Sequence, residues 1–304
     1  MAARYPASHA ALLGIALVLV SAAALAIVPT AAKMAFLAGS NTLTLVTTRA
    51  AIAVALISAL IAVSGHGFRT NGRVLKWCLV SGILYTIMSY AFIGSVLYIP
   101  VSLMMLIYFT HPILIALIAH WRGKKNLSSK KLIFAIGVFL GLSVVVGPNL
   151  ASLDPFGVML ALVAAFSVCG VILVNAKALN ASSSMVVNLY MTAVTVVVFA
   201  LATPLNDEFL FPRGALGWVG LFGAGLGQAL GLLTFLAAFR YIGPVRATMI
   251  SSVEPLMGVL FAVAVLGESL GPHQWVGALI VVAALILFEL PERRRDAAAE
   301  AAAS

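Results

Sequence analysis

Few residues of this 304-residue chain can do chemistry, because only 9% of it is charged, and three of those few lie inside apolar runs. Glu254 sits in MISSVEPLMGVLFAVAVLGE (249–268) with Pro255 directly after it, and His111 stands in the same way before Pro112. Arg49 lies in the apolar run that starts near residue 43. A charged side chain at the centre of a bilayer costs roughly 2.5 to 3.5 kcal/mol even on the lenient insertion scale, and a proline leaves a backbone carbonyl without its helical donor. Residues kept at that cost mark solute or proton paths. Glu254 can bind a proton or the solute, Arg49 is a candidate for the same cavity, and His111 can line it. The plainer alternatives are a Glu254 that caps backbone donors at a helix break and an Arg49 that snorkels outward or forms a structural salt bridge. Glu254 lies deeper than Arg49 by about 6 to 9 Å at the rise of a helix, so an Arg49–Glu254 pair is expected if their helices adjoin.

Other chemistries lack their residues. No GxxxxGK[ST] loop is present to cradle nucleotide phosphates, and no HExxH is present. No Asp falls inside an apolar run. An intramembrane serine hydrolase has one foothold, Gly141-Leu142-Ser143, with His111 or His120 as a base. Cys78 and Cys169 both fall in apolar runs and read as packing residues, not a disulfide. Tyr85, Tyr90, Phe92, Tyr98, Tyr108 and Phe109 offer an aromatic wall with hydroxyls, suited to a solute with an apolar body and polar ends. Gly223, Gly227 and Gly231 recur every four residues as a packing face, leaving Gln228 on another face as a cavity candidate.

These residues must be positioned by membrane helices. With 63% hydrophobic residues the chain is a polytopic membrane protein, and windows of about 20 apolar residues number ten. They lie near 10–32, 43–63, 77–97, 101–120, 132–150, 156–176, 182–203, 215–239, 247–267 and 273–290. The first is too long for a removable signal segment despite the Ala-x-Ala pattern in SAAALA at 21–26. With the N-terminus inside, fifteen of the eighteen Lys and Arg fall on the cytoplasmic side, while Asp154, Asp207, Glu208 and Glu268 face out. The net charge of +9 is therefore a topology signal and not a nucleic-acid footprint. Trp77, Trp121, Trp218 and Trp275 each mark a span end, where an amphipathic ring prefers the interface.

The chain repeats itself at an offset of 143 residues, which places Gly14 on Gly157, Gly82 on Gly225, Phe92 on Phe235, Tyr98-Ile99 on Tyr241-Ile242 and Pro112 on Pro255. Five helices per half is an odd number, so the second half crosses the membrane upside down. The predicted fold is all-α, ten transmembrane helices in two inverted five-helix repeats, with both termini inside. Residues 1–150 form the first repeat, 151–291 the second, and 292–304 a basic, then Ala-rich cytoplasmic tail. Inverted repeats supply outward- and inward-open states from one sequence, with the solute site near the midplane between them. His111 and Glu254 are equivalent positions on that axis, Pro112 and Pro255 equivalent hinges, and Tyr98 and Tyr241 the leading aromatic pair for the cavity.

The run Glu254-Pro255-Leu256 through Leu266-Gly267-Glu268-Ser269-Leu270, then Gln274-Trp275-Val276-Gly277-Ala278-Leu279-Ile280, resembles the EamA signature of the drug/metabolite transporter superfamily. Tyr98-Ile99-Pro100-Val101-Ser102 through Pro112 resembles its first-half counterpart, as does Arg49-Ala50 in the second span. One departure is that Lys125 stands where the second half has Glu268. The resemblance implies a ten-helix exporter of the amino-acid and metabolite type, similar to exporters of aromatic amino acids, in the inner (plasma) membrane. The reading is a non-enzymatic secondary transporter that exports a small amphipathic solute, a large apolar or aromatic amino acid or related metabolite, by alternating access. A channel-like pore is the alternative. The expected partners are that solute and the lipid bilayer, with protons as a candidate coupling ion and no cofactor, metal or nucleic acid; monomer and homodimer stay open.

Overall fold

The computed structural model describes residues 7–64, 67–121, 129–146, 153–179, 181–206 and 209–303. They form helices α1 (Ala7–Leu37), α2 (Thr42–Val63), α3 (Gly72–Ser95), α4 (Val101–Tyr108), α5 (His111–Trp121), α6 (Ser129–Val146), α7 (Pro155–Leu179), α8 (Ser184–Asn206), α9 (Gly214–Ser251), α10 (Glu254–Leu266) and α11 (Pro272–Ala303). Seven segments among the described residues are long and apolar enough to cross a bilayer, and three shorter apolar helices, 132–145, 254–266 and 272–287, complete ten. The basic-then-Ala-rich tail continues as part of α11. Asn41 and Asn71 cap α2 and α3, their Oδ1 atoms accepting from Thr44 N at 2.9 Å and Val74 N at 2.8 Å. Such caps satisfy donors that the first helical turn leaves orphaned.

Two of the expected spans are not continuous helices. The fourth breaks at Phe109–Thr110 into α4 and α5, and the ninth breaks at Ser252–Val253, where α10 begins. Each break falls directly before the sequence His111-Pro112 or Glu254-Pro255, because proline cannot donate to the preceding turn but is well suited to the first turn of a new helix. The eighth and ninth windows also differ from expectation, since helical character runs unbroken from Gly214 to Ser251. A straight helix would put Gln228 and Ser251 about 35 Å apart. Both line one cavity, so the run doubles back between them.

The packing partners carry the repeat. The α1–α9 and α3–α7 pairs exchange under the repeat, as do α2–α9 and α3–α8, while α2–α8 and α6–α11 pair equivalent helices. The repeated glycines show the same exchange at atomic scale. A Cβ on Gly14 would meet Ile242 Cγ2 at 2.6 Å and Tyr241 Cβ at 2.8 Å, and one on Gly157 would meet Tyr98 Cβ at 2.6 Å and Ile99 Cγ2 at 2.8 Å. Each first helix of a half thus rests its glycine against the Tyr-Ile pair of the other half.

Lipid is as apolar as a leucine side chain, so helices in a membrane associate through close packing and interhelical hydrogen bonds. The seam of α1 and α9 is built that way. Ala22, Ala26, Ala32 and Ala35 are fully buried on α1. A Cβ on Gly220 would lie 2.6 Å from Ala31 O, and one on Gly227 2.6 Å from Ala24 O. Ser21 Oγ donates to Gly231 O at 2.6 Å across the same seam. Gly141 and Gly277 abut where α6 crosses α11, a Cβ on either lying within 2.9 Å of the carbonyl oxygen of the other.

Candidate functional site

A cavity of about 400 Å³ lies between the halves, and the broken helices deliver its polar groups. Glu254 occupies the first turn of α10 and His111 that of α5, so both breaks open onto it. A half-helix N-terminus carries a partial positive charge, which favours an anion at Glu254's position. Arg49 reaches the cavity from α2, Tyr85 from α3, Tyr108 from α4 and Gln228 from α9. Pro112 and Pro255 line it as well. Tyr98 and Tyr241 do not. Both are exposed on the outside of the bundle, where their Cβ groups back Gly157 and Gly14. The leading aromatic pair of the sequence reading is therefore a packing pair of the repeat, and Tyr85, Phe92, Tyr108 and Phe109 form the cavity's aromatic wall.

The expected Arg49–Glu254 pair is not formed. Arg49 is buried, and its Nη2 donates in a short hydrogen bond to Ser89 Oγ on α3. A hydroxyl satisfies one of the guanidinium's five donors and leaves its charge uncompensated. Among the described residues no hydrogen bond or ion pair involves the Glu254 carboxylate. The cavity wall thus carries a guanidinium and a carboxyl group with no bond between them.

The remaining polar wall is organised around the α4–α5 break. His111 Nδ1 donates to Tyr108 O at 3.0 Å, which anchors the ring to the break. The Tyr108 ring packs edge-on to Phe92 at 4.6 Å and to Phe109 at 5.4 Å. Its hydroxyl donates to Met88 Sδ at 3.9 Å. Sequence reasoning missed Asn175 and Asn188, which line the cavity four residues from the inner ends of α7 and α8. Their signal was available as amides inside apolar runs. Ser89 gave no comparable signal, because its link to Arg49 crosses 40 residues of chain.

The lining is polar at one end of the cavity. It descends to Asn175 and Asn188, near the cytoplasmic ends assigned by the basic residues. Toward the outer ends Val96, Ile99, Val101, Ser102, Leu103 and Met104 are at most 5% exposed. They form a plug above the aromatic wall. Ser143, the serine of the hydrolase reading, is exposed on α6, and its Oγ donates to Phe139 O of its own helix at 2.8 Å. It faces neither the cavity nor a histidine. No group of three or more His, Cys, Asp or Glu among the described residues could hold a metal.

The family model of EamA-like transporters matches this chain twice, over residues 12–147 and 155–290. This chain belongs to the EamA-like transporter family. It is a multi-pass membrane transporter built from two EamA repeats, and not an enzyme. A curated relative, the "Uncharacterized inner membrane transporter YicL" of Salmonella typhimurium, is 34% identical over 74 residues. The match spans about a quarter of the length of that relative, 25%, and 24% of this chain. One solved crystal structure superposes with a TM-score of 0.63 at 16% identity over 93% of this chain and 98% of the other, a likeness of fold alone.

Proposed function

We propose that this EamA transporter exports large apolar or aromatic amino acids, or closely related zwitterionic metabolites, from the cytoplasm across the inner membrane by alternating access. The observation that carries this reading is the placing of Arg49 and Glu254 on one cavity with no bond between them, beside a wall of Phe92, Tyr108, Phe109, Met88 and Met191. A zwitterion with a large side chain is complementary to that arrangement. Its carboxylate would meet the guanidinium, its ammonium the carboxylate, and its side chain the rings and thioethers. Pockets of this kind gain affinity from apolar lining and orientation from a few placed charges. The plug at the outer end supports a carrier over an open pore, because a channel needs a path that reaches both sides at once. Pro112 and Pro255 serve as the hinges, since each leaves a flexible break beside the cavity. The test is counterflow in proteoliposomes, with labelled phenylalanine exchanged against unlabelled amino acids, sugars and sugar phosphates. Saturable exchange restricted to amino acids with large side chains is expected. Equal exchange of a sugar phosphate and failure of every amino acid would overturn the reading.

A further inference from the structure

Three hydrogen bonds to one carboxylate join the two halves away from the cavity, at the outer ends of α4 and α10. Gly267 ends α10 in a left-handed conformation, φ 68°, with its N–H bonded back to Ala262 O. That conformation is cheap for glycine and strained for other residues. It turns the next residue, Glu268, away from its own helix and onto the N-terminus of α4 in the other repeat. Glu268 Oε1 accepts from Val101 N at 2.7 Å, and Oε2 accepts from Ser102 N at 3.1 Å and from Ser102 Oγ in a short hydrogen bond. Just before α4, Lys33 of α1 donates from Nζ to Val96 O at the C-terminal end of α3, at 2.5 Å, and interacts electrostatically with Glu268. The turn 96–100 is thus pinned by an anion at the positive end of one helix and a cation at the negative end of another, each matched to its helix dipole.

These bonds sit on top of the plug. Below them α4 packs along α10, with a Cβ on Gly258 lying 3.1 Å from Met105 Cγ, and at the lower end of this seam Glu254 and His111 open onto the cavity. We propose that Glu268 is the latch of the outer gate: it ties α4 of the first repeat to α10 of the second and holds the cavity closed to the outside. As a gate contact it presupposes the alternating-access reading above. The latch is one-sided. The repeat places Lys125 where the second half has Glu268, and an ammonium cannot accept from helix N-terminal amides. Lys125 lies outside the described residues, so the asymmetry is one of sequence: the first repeat has no carboxylate at the position from which the second repeat forms this latch.

The test uses the full chain in sealed proteoliposomes of known orientation, with Val168→Cys as a reporter on the cavity wall in a Cys78→Ala, Cys169→Ala background. A membrane-impermeant maleimide is added to the outer or the inner face with no solute present. With Glu268 intact, labelling from the inner face should be fast and from the outer face slow. Glu268→Ala should raise the outer-face rate at least about tenfold, since it deletes three charge-assisted bonds. Glu268→Gln, close in shape and able to fold where alanine does not, should raise it by a smaller factor because one amide oxygen still accepts. An outer-face rate unchanged in folded Glu268→Gln and Glu268→Ala overturns the latch, and intact amino-acid counterflow in the same vesicles leaves the transport reading standing. A raised rate in vesicles that exchange no amino acid supports the latch and defeats the substrate reading instead.

Discussion

Glu254→Gln separates a solute-binding carboxylate from a structural strut, because the two roles predict opposite changes in stability. The substitution keeps the shape of the side chain and removes its charge. No hydrogen bond or ion pair to the carboxylate is lost among the described residues. What is lost is the favourable interaction with the α10 N-terminus, about 0.3 to 1 kcal/mol for an ordinary helix end. Against that stands the cost of an intramembrane charge, roughly 2.5 to 3.5 kcal/mol on the insertion scale and smaller beside a wet cavity. The second term wins, so the variant should be more stable in detergent, by about 1 to 2 kcal/mol. Solute binding should move the other way. A charge-assisted bond to a solute ammonium contributes about 1.5 to 3 kcal/mol, so affinity should fall by roughly tenfold to a hundredfold. The assay is a thermal melt without solute together with the half-saturation of phenylalanine counterflow. A lower Tm with unchanged half-saturation would refute the reasoning, for it would mean that Glu254 holds the fold and touches no solute.

Gly14→Ala and Gly157→Ala should each cost about 1 to 3 kcal/mol by overpacking, and by similar amounts, because each new Cβ meets the other half's Tyr-Ile pair at 2.6 Å. Melting of both variants in detergent checks this, and full tolerance of one with collapse of the other would break the exchange symmetry. Ser143→Ala should leave counterflow and Tm unchanged within error, since its hydroxyl serves only Phe139 O on an exposed helix face. Loss of transport there would reopen the hydrolytic reading.

Composition and spacing determined the class of this protein. A chain this apolar can hide its backbone polar groups in a bilayer only as helices, and an odd number of spans in each of two similar halves forces the second half to invert. The same reasoning placed Glu254, His111, Pro112 and Pro255 near the axis, because an expensive residue at equivalent depths in two repeats has few other places to go. Which aromatic residues face inward was beyond the sequence. Tyr98 and Tyr241 repeat faithfully, yet they repeat as packing partners of Gly157 and Gly14, since an internal symmetry preserves contacts between halves as readily as it preserves a site. The sequence also placed Arg49 and Glu254 within reach of each other and could not say that they stay apart. Ser89, which arrives from α3, decides that by taking a guanidinium donor. Glu268 read as an outward-facing charge within the signature run; its meaning as a cap on α4 comes from a left-handed glycine and from a helix 166 residues earlier in the chain. Helix periodicity and depth are local properties and can be read along one chain. A side chain's partner depends on how two helices are rotated against each other, and only the packed bundle decides that.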